Sequence, residues 1–263
     1  MSAVVRLRDV PVGEGRVKVA APLCGTTPEE LLAEADHVVA AGVDIAEWRV
    51  DHLLAASPDL PEPALGTALR DRLGATPLLL TVRSAGEGGQ VDLADGAYAG
   101  VVDQLLRAGG ADAVDLELAR TAVLSDLVAR ARETGTRVLV SGHDVTGTPS
   151  VAQLTEWLAA MAAAGADIVK AAVTAHTPRD VLALLEATVA AREALDVPVV
   201  TMAMGPAGLV SRLCGEAFGS AVTFGAVDRA SAPGQIDVGR LRAVIDLVHE
   251  HGSPAGPSRR SVQ

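Results

Sequence analysis

Lys170 is the one charge in the run "IVKAAV", flanked by Val169 and Ala171. A lysine in such a setting can snorkel, pair with an acid, or act as an amine kept neutral by burial and neighbouring cations, nucleophilic toward a carbonyl carbon. His143 closes the preceding apolar run, "RVLVSGH". On adjacent strands about 5 Å apart, imidazole and amine would reach the same small molecule.

Further charges crowd the ends of other apolar runs: Glu47, Arg49 and Asp51, then Arg83, then Asp115 and Glu117, with Arg212 beyond "TMAMG". Alternation along a strand puts Glu47 with Arg49, and Asp115 with Glu117, on one face. Single pairs such as Glu47–Arg49 or Arg83–Glu117 read equally well as structural ion pairs. Six consecutive runs carrying such groups point to a site, because buried charge is costly unless paired or used. A metal reading would draw on His143, Asp144, Glu47, Asp51, Asp115 and Glu117. Several cations share that rim and no histidine pair has ligand spacing, so no metal is expected. "GEGG" at 86–89 lacks the P-loop lysine and the dinucleotide fingerprint; it reads as a turn carrying Glu87 into the site.

These residues need a scaffold, and short β-branched runs alternate with Ala/Leu-rich helical stretches along the whole chain. Strands are predicted at Val17–Ala21, Asp44–Arg49 and on to Asp51, Leu78–Val82, Ala113–Glu117, Arg137–Ser141, Ile168–Ala172, Val199–Met204 and Ala221–Gly225, each followed by a helix. Thr27, Thr148 and Thr177, each before a proline, are predicted helix caps. Eight units of about 30 residues predict a single α/β domain, a (β/α)8 TIM barrel over 1–251, with an open doubly wound sheet as the alternative. The segment through Glu14 is expected to cap the barrel bottom and 252–263 to form a disordered tail.

Composition agrees. Apolar residues make up 49% of 263 residues, enough for a large core. Aromatics at 2% and a net charge of −11 argue against nucleic acid as a partner. Cys24 and Cys214 are too few for a disulfide framework. No stretch approaches the ~20 apolar residues of a membrane span, and no secretory signal is evident at the N-terminus. The expected setting is the cytoplasm, with no membrane partner.

Taken in order, "EWRVDHL", "TVRSAGEGG", "VDLEL", "SGHDVTGTP", "ADIVKAAV", "MGPAGLVSR" and "FGSAVTFGAVDRASAPGQI" resemble the type I 3-dehydroquinate dehydratase family over nearly the whole chain. The resemblance implies a lyase converting 3-dehydroquinate to 3-dehydroshikimate in the shikimate pathway of aromatic amino acid biosynthesis, without metal or organic cofactor. It implies that Lys170 forms the Schiff base, that His143 is the general acid/base and that Glu87 orients it. Glu47, Arg49, Arg83, Arg212, Ser231 and Gln235 are implied to hold the substrate, with Arg212 on its carboxylate. Two departures stand out. Val145 replaces an aromatic, expected to alter packing behind His143, and Ala20-Ala21 replaces a hydroxyl residue that would bond substrate. The loop 226–235 is expected to be a mobile lid. A class I aldolase-type barrel and a non-catalytic ligand-sensing barrel are the alternatives; a homodimer is left open.

Overall fold

The computed structural model describes residues 4–57 and 62–252. Eight parallel strands form the sheet: β3 (Lys18–Leu23), β4 (Ile45–Arg49), β5 (Leu78–Thr81), β6 (Ala113–Glu117), β7 (Arg137–Asp144), β8 (Ile168–Thr174), β9 (Val199–Met204) and β10 (Val222–Phe224). Their spatial order is β10-β3-β4-β5-β6-β7-β8-β9. The Val199–Ser220 bridge and the Ala221 N–H donated to the Val199 carbonyl at 2.8 Å bring β9 back toward β10. The sheet therefore wraps into a nearly closed barrel, and the open-sheet alternative is set aside.

Nine helices surround it: α1 (Pro28–Ala40), α2 (Val50–Ala56), α3 (Pro63–Leu73), α4 (Asp95–Ala108), α5 (Leu124–Glu133), α6 (Val151–Ala163), α7 (Pro178–Ala194), α8 (Leu209–Phe218) and α9 (Val238–Gly252), counted among the described residues. The sequence reading missed α2. The strand expected to run on to Asp51 stops at Arg49, and the chain turns helical at Val50. A second correction concerns α6, whose cap is Ser150 in a capping box with Gln153, not Thr148; Thr148 instead donates to the Thr174 carbonyl. Thr27 and Thr177 cap α1 and α7 as expected. Gly252 ends α9; the rest of the expected tail lies outside the described residues.

The acids that follow helix-ending glycines have a shared task. Asp44, Asp112 and Asp167 each accept the N–H of a residue at the start of the adjacent strand (Val19, Leu78 and Val138), each at 2.8 Å. A charged acceptor there satisfies backbone donors at the barrel's N-terminal rim, where the ladder begins.

Inside the barrel, side chains stack in layers. Ala20, Ile45, Leu79, Ala113, Leu139, Ile168, Val200 and Val222 form an apolar lower layer, with Val5, Leu7 and Val12 packed against it. Those three come from an antiparallel hairpin, β1 (Val5–Leu7) and β2 (Val10–Val12), so the N-terminal segment does seal the bottom. Above this layer the same strands present polar side chains. Among the described residues no helix is long and apolar enough to cross a membrane.

Candidate active site

At the C-terminal end of the strands lies a cavity of about 310 Å³, the end of a barrel where the loops after each strand converge. All nine residues picked from the sequence line it: Lys170, His143, Glu87, Glu47, Arg49, Arg83, Arg212, Ser231 and Gln235.

Lys170 sits mid-strand in β8, in register with Ser141 of β7 and Val200 of β9. It is 4% exposed. Its Nζ donates to Asp115 Oδ2 at 3.1 Å, lies 3.6 Å from Glu47 Oε1, and stands 4.6 Å from the centre of the Phe224 ring. The sequence reading expected cations around this amine. The groups within ion-pair reach are carboxylates instead, because β6 and β4 turn Asp115 and Glu47 inward at the same height.

His143 lies two residues beyond Ser141, hence on the same inward face of β7. Gly142 between them faces outward, where a Cβ would stand 2.6 Å from the Trp157 ring; glycine lets α6 press onto the strand that carries the histidine. His143 Nδ1 is 2.8 Å from Glu87 Oε2. Burial, with Arg83 and Lys170 nearby, depresses the imidazole pKa well below its ordinary value. Burial pushes the Glu87 carboxyl up to about 7, against the opposing pull of Arg83. The histidine is thus biased toward its neutral form, and Glu87 changes charge near pH 7.

Arg83 ties the acids together. It lies 2.7 Å from Asp115, 3.3 Å from Glu117 and 3.4 Å from Glu87, and donates to Ser141 Oγ at 3.0 Å. Burial pushes the Asp115 carboxyl up, but Arg83 and Lys170 outweigh it and hold the group below the usual carboxylate range. Arg49 makes a two-pronged pair with Asp51 at 2.8 and 2.7 Å.

Arg212 differs from these cations. It is 1% exposed, yet no carboxylate pairs with it among the described residues. Among the described residues its guanidinium reaches only Met202 Sδ at 3.6 Å and the Pro233 carbonyl at 3.4 Å, and its Nε has no partner. Burial alone pulls its pKa down to about 10. An unpaired buried guanidinium facing a cavity calls for an anion.

Ser231 and Gln235 face the cavity from the loop after β10, bonded to each other through Gln235 Nε2 and Ser231 Oγ at 3.1 Å. The outer side of that loop meets α1. Asp228 lies 2.7 Å from His37, and Arg229 is 3.8 Å from Glu30 and 3.9 Å from Glu34.

Asp115, a strand charge in the sequence that lies outside the predicted site, touches Lys170. Ala172, Thr174, Met202, Met204 and Phe224 also line the cavity and were missed. Their signal was the two-residue spacing from Lys170 along β8, from Val200 along β9 and from Val222 along β10. Val145 lines the cavity rim and is 41% exposed, so it does not pack behind His143. Ala20 belongs to the lower layer and Ala21 to the helix-facing core; neither position meets the cavity, so a hydroxyl there would not bond its occupant.

Residues 19–251 match the family model for type I 3-dehydroquinase. The chain is similar to the 3-dehydroquinate dehydratase of Klebsiella pneumoniae, 41% identical over 250 residues covering 94% of this chain and 100% of the relative. It is similar in structure to 3-dehydroquinate dehydratase from Geobacillus kaustophilus, with a TM-score of 0.91 and 36% identity over 95% of this chain and 97% of that one. The type I 3-dehydroquinate dehydratase from Clostridium difficile with covalently modified comenic acid gives a TM-score of 0.89 at 36% identity, covering 95% and 98%.

Proposed function

The chain belongs to the type I 3-dehydroquinase family, and from that premise we propose how its cavity works. The reaction is the dehydration of 3-dehydroquinate to 3-dehydroshikimate in the shikimate pathway. Family membership leaves no place for the aldolase and sensor alternatives.

Lys170 Nζ attacks the ring ketone carbon and water leaves, giving a protonated imine. The iminium withdraws electrons from the adjacent carbon and acidifies its C–H. Neutral His143 removes that proton, its Nδ1 side steadied by Glu87. The carbon–oxygen bond of the tertiary hydroxyl then breaks, His143 returns a proton to the departing oxygen, and water leaves. Hydrolysis of the imine frees product and amine. Asp115 and Glu47 lie against the nitrogen that stays positively charged while the imine exists. Arg212 takes the substrate carboxylate as the counter-ion it lacks, and Glu47, Arg49, Arg83, Ser231 and Gln235 supply the remaining polar wall.

The observation that carries this reading is a single cavity holding a buried amine, a histidine–carboxylate pair and an unpaired guanidinium. The setting that suits such a pathway enzyme is the cytoplasm. Borohydride added with substrate is the test. Reduction of the imine should add the ligand's mass to Lys170 and inactivate the enzyme. Mass on Lys18, or no adduct during turnover, overturns the covalent route.

A further inference from the structure

Glu87 reaches His143 from a short turn, and both ends of that turn are tied to one carboxylate. Asp51, in the first turn of α2, is 0% exposed and is not part of the cavity lining. Its Oδ1 accepts Arg49 Nε at 2.8 Å and the Arg83 N–H at 3.4 Å; its Oδ2 accepts Arg49 Nη2 at 2.7 Å and the Gln90 N–H at 3.0 Å. Arg83 enters the turn and Gln90 leaves it.

From Arg83 to Val91 the turn is closed on itself. Ser84 bridges Val91, the Ala85 N–H donates to the Val91 carbonyl at 2.7 Å, and the Gly89 N–H donates to the Ser84 carbonyl at 2.8 Å. The backbone folds back so tightly that a Cβ on Gly89 would stand 2.0 Å from the Arg83 carbonyl oxygen. A unit closed in this way moves as one body, and Asp51 grips it at both ends. Any shift of the unit changes the contact between Glu87 and His143.

The chemistry asks for a carboxylate in this place. Four N–H donors converge on two oxygens, which an ionised acid accepts in full. An amide would turn N–H groups toward two of those donors.

We propose that Asp51 is a positioning residue for the reaction: it holds the Arg83–Gln90 turn, and through it Glu87, against His143. The inference rests on the lysine–histidine mechanism above.

The test is Asp51→Asn in the full chain. The expected fall in kcat is about 10²-fold, the scale of a 1 Å misplacement of catalytic groups, with KM little changed. In a cycle with Glu87→Gln, adding the second substitution should cost far less than it does alone. The downfield proton signal of the His143 Nδ1–H···Glu87 bond should weaken in Asp51→Asn, while borohydride still traps substrate on Lys170. Full additivity with Glu87→Gln, or a raised KM at unchanged kcat through Arg49, overturns the proposal. Should the variant fail to fold, hydrogen exchange in the unsubstituted protein decides: slow exchange of the Gln90 amide supports the tie to Asp51, and free exchange overturns it. Activity surviving in Lys170→Met would sink the mechanism itself. Normal kcat in Asp51→Asn, with Lys170→Met inactive, would sink this inference alone.

Discussion

The two lysines of the chain stand at opposite ends of one barrel. Lys18 opens β3 at the sealed end and donates to the carbonyls of Glu14 and Arg16 at 2.9 and 2.7 Å. Lys170 faces the open end, buried between Asp115 and Glu47. The side chains stacked along the barrel axis differ in the same way. The lower layer is aliphatic and covered by a hairpin, whereas the layers above it hold Arg49, Arg83, Lys170 and Arg212 with Glu47, Asp115 and Glu117. Three strands supply both, with Glu47, Asp115 and Lys170 each two residues beyond the lower-layer Ile45, Ala113 and Ile168, while Arg212 enters from α8. The apolar plug supplies burial free energy, and the mouth spends some of it on groups that a stable core would omit.

Substitutions at the two ends should therefore fail differently. Lys170→Met keeps the apolar stem and removes the amine, so adduct formation and turnover should both vanish while the protein still folds. Lys18→Met should retain both, as steady-state rates and borohydride labelling of the two variants will show. Comparable turnover in the two proteins would erase the distinction between the ends.

His143→Ala comes next in size. It should slow elimination by roughly 10²–10⁴-fold, the range of positioned proton transfer, while leaving Lys170 open to trapping. Single-turnover rates beside adduct mass check this, and near-normal turnover in the folded variant would remove His143 from the chemistry.

At the sealed end, Ile168→Ala removes a lower-layer side chain that is 1% exposed. It should cost about 2–5 kcal/mol of stability, measured by urea unfolding, with kcat of the folded protein nearly unchanged. A large kcat loss at full stability would show that the two layers are not separable.

The pH profile offers a finer test. Below about 7 Glu87 is increasingly protonated and no longer offers His143 a full negative charge, so kcat/KM should rise through that pH and level off above it. Glu87→Gln should abolish that limb, and a limb that persists would assign it to another group.

The smallest effect concerns the loop 226–235. The sequence read it as a mobile lid with little to pack, but polar ties hold it on two sides, to Arg212 within and to α1 outside. Bound product should raise its hydrogen-exchange protection modestly. Asp228 raises the His37 pKa through their hydrogen bond. The charged pair is present at low pH and lost as pH rises through that raised pKa, so protection in the free enzyme should decline with it. Protection indifferent to both product and pH would mark a fixed loop.

The alternation of apolar runs and helices was readable along the chain because barrel strands, buried on both faces, leave continuous β-branched runs. Lys170 and His143 were legible for the complementary reason: a charged or titratable group inside such a run has few structural explanations. Motif order along the chain pointed to Glu87, Arg212, Ser231 and Gln235. Period and propensity act over a few residues, and these signals lie within that reach. Of the ion pairs the sequence offered, Arg83–Glu117 forms, whereas Arg49 pairs with Asp51 and not with Glu47; sequence alone could not rank them. Asp115 reaches Lys170 across the intervening strand β7 only because the sheet curls until inward side chains share a centre. It could not show that Asp51 leaves the strand for α2 and grips a turn more than thirty residues onward, nor that Arg212 has no carboxylate partner among the described residues. Those are facts of closure and register, set when eight strands meet around one axis, and electrostatics at such short range follows the closure.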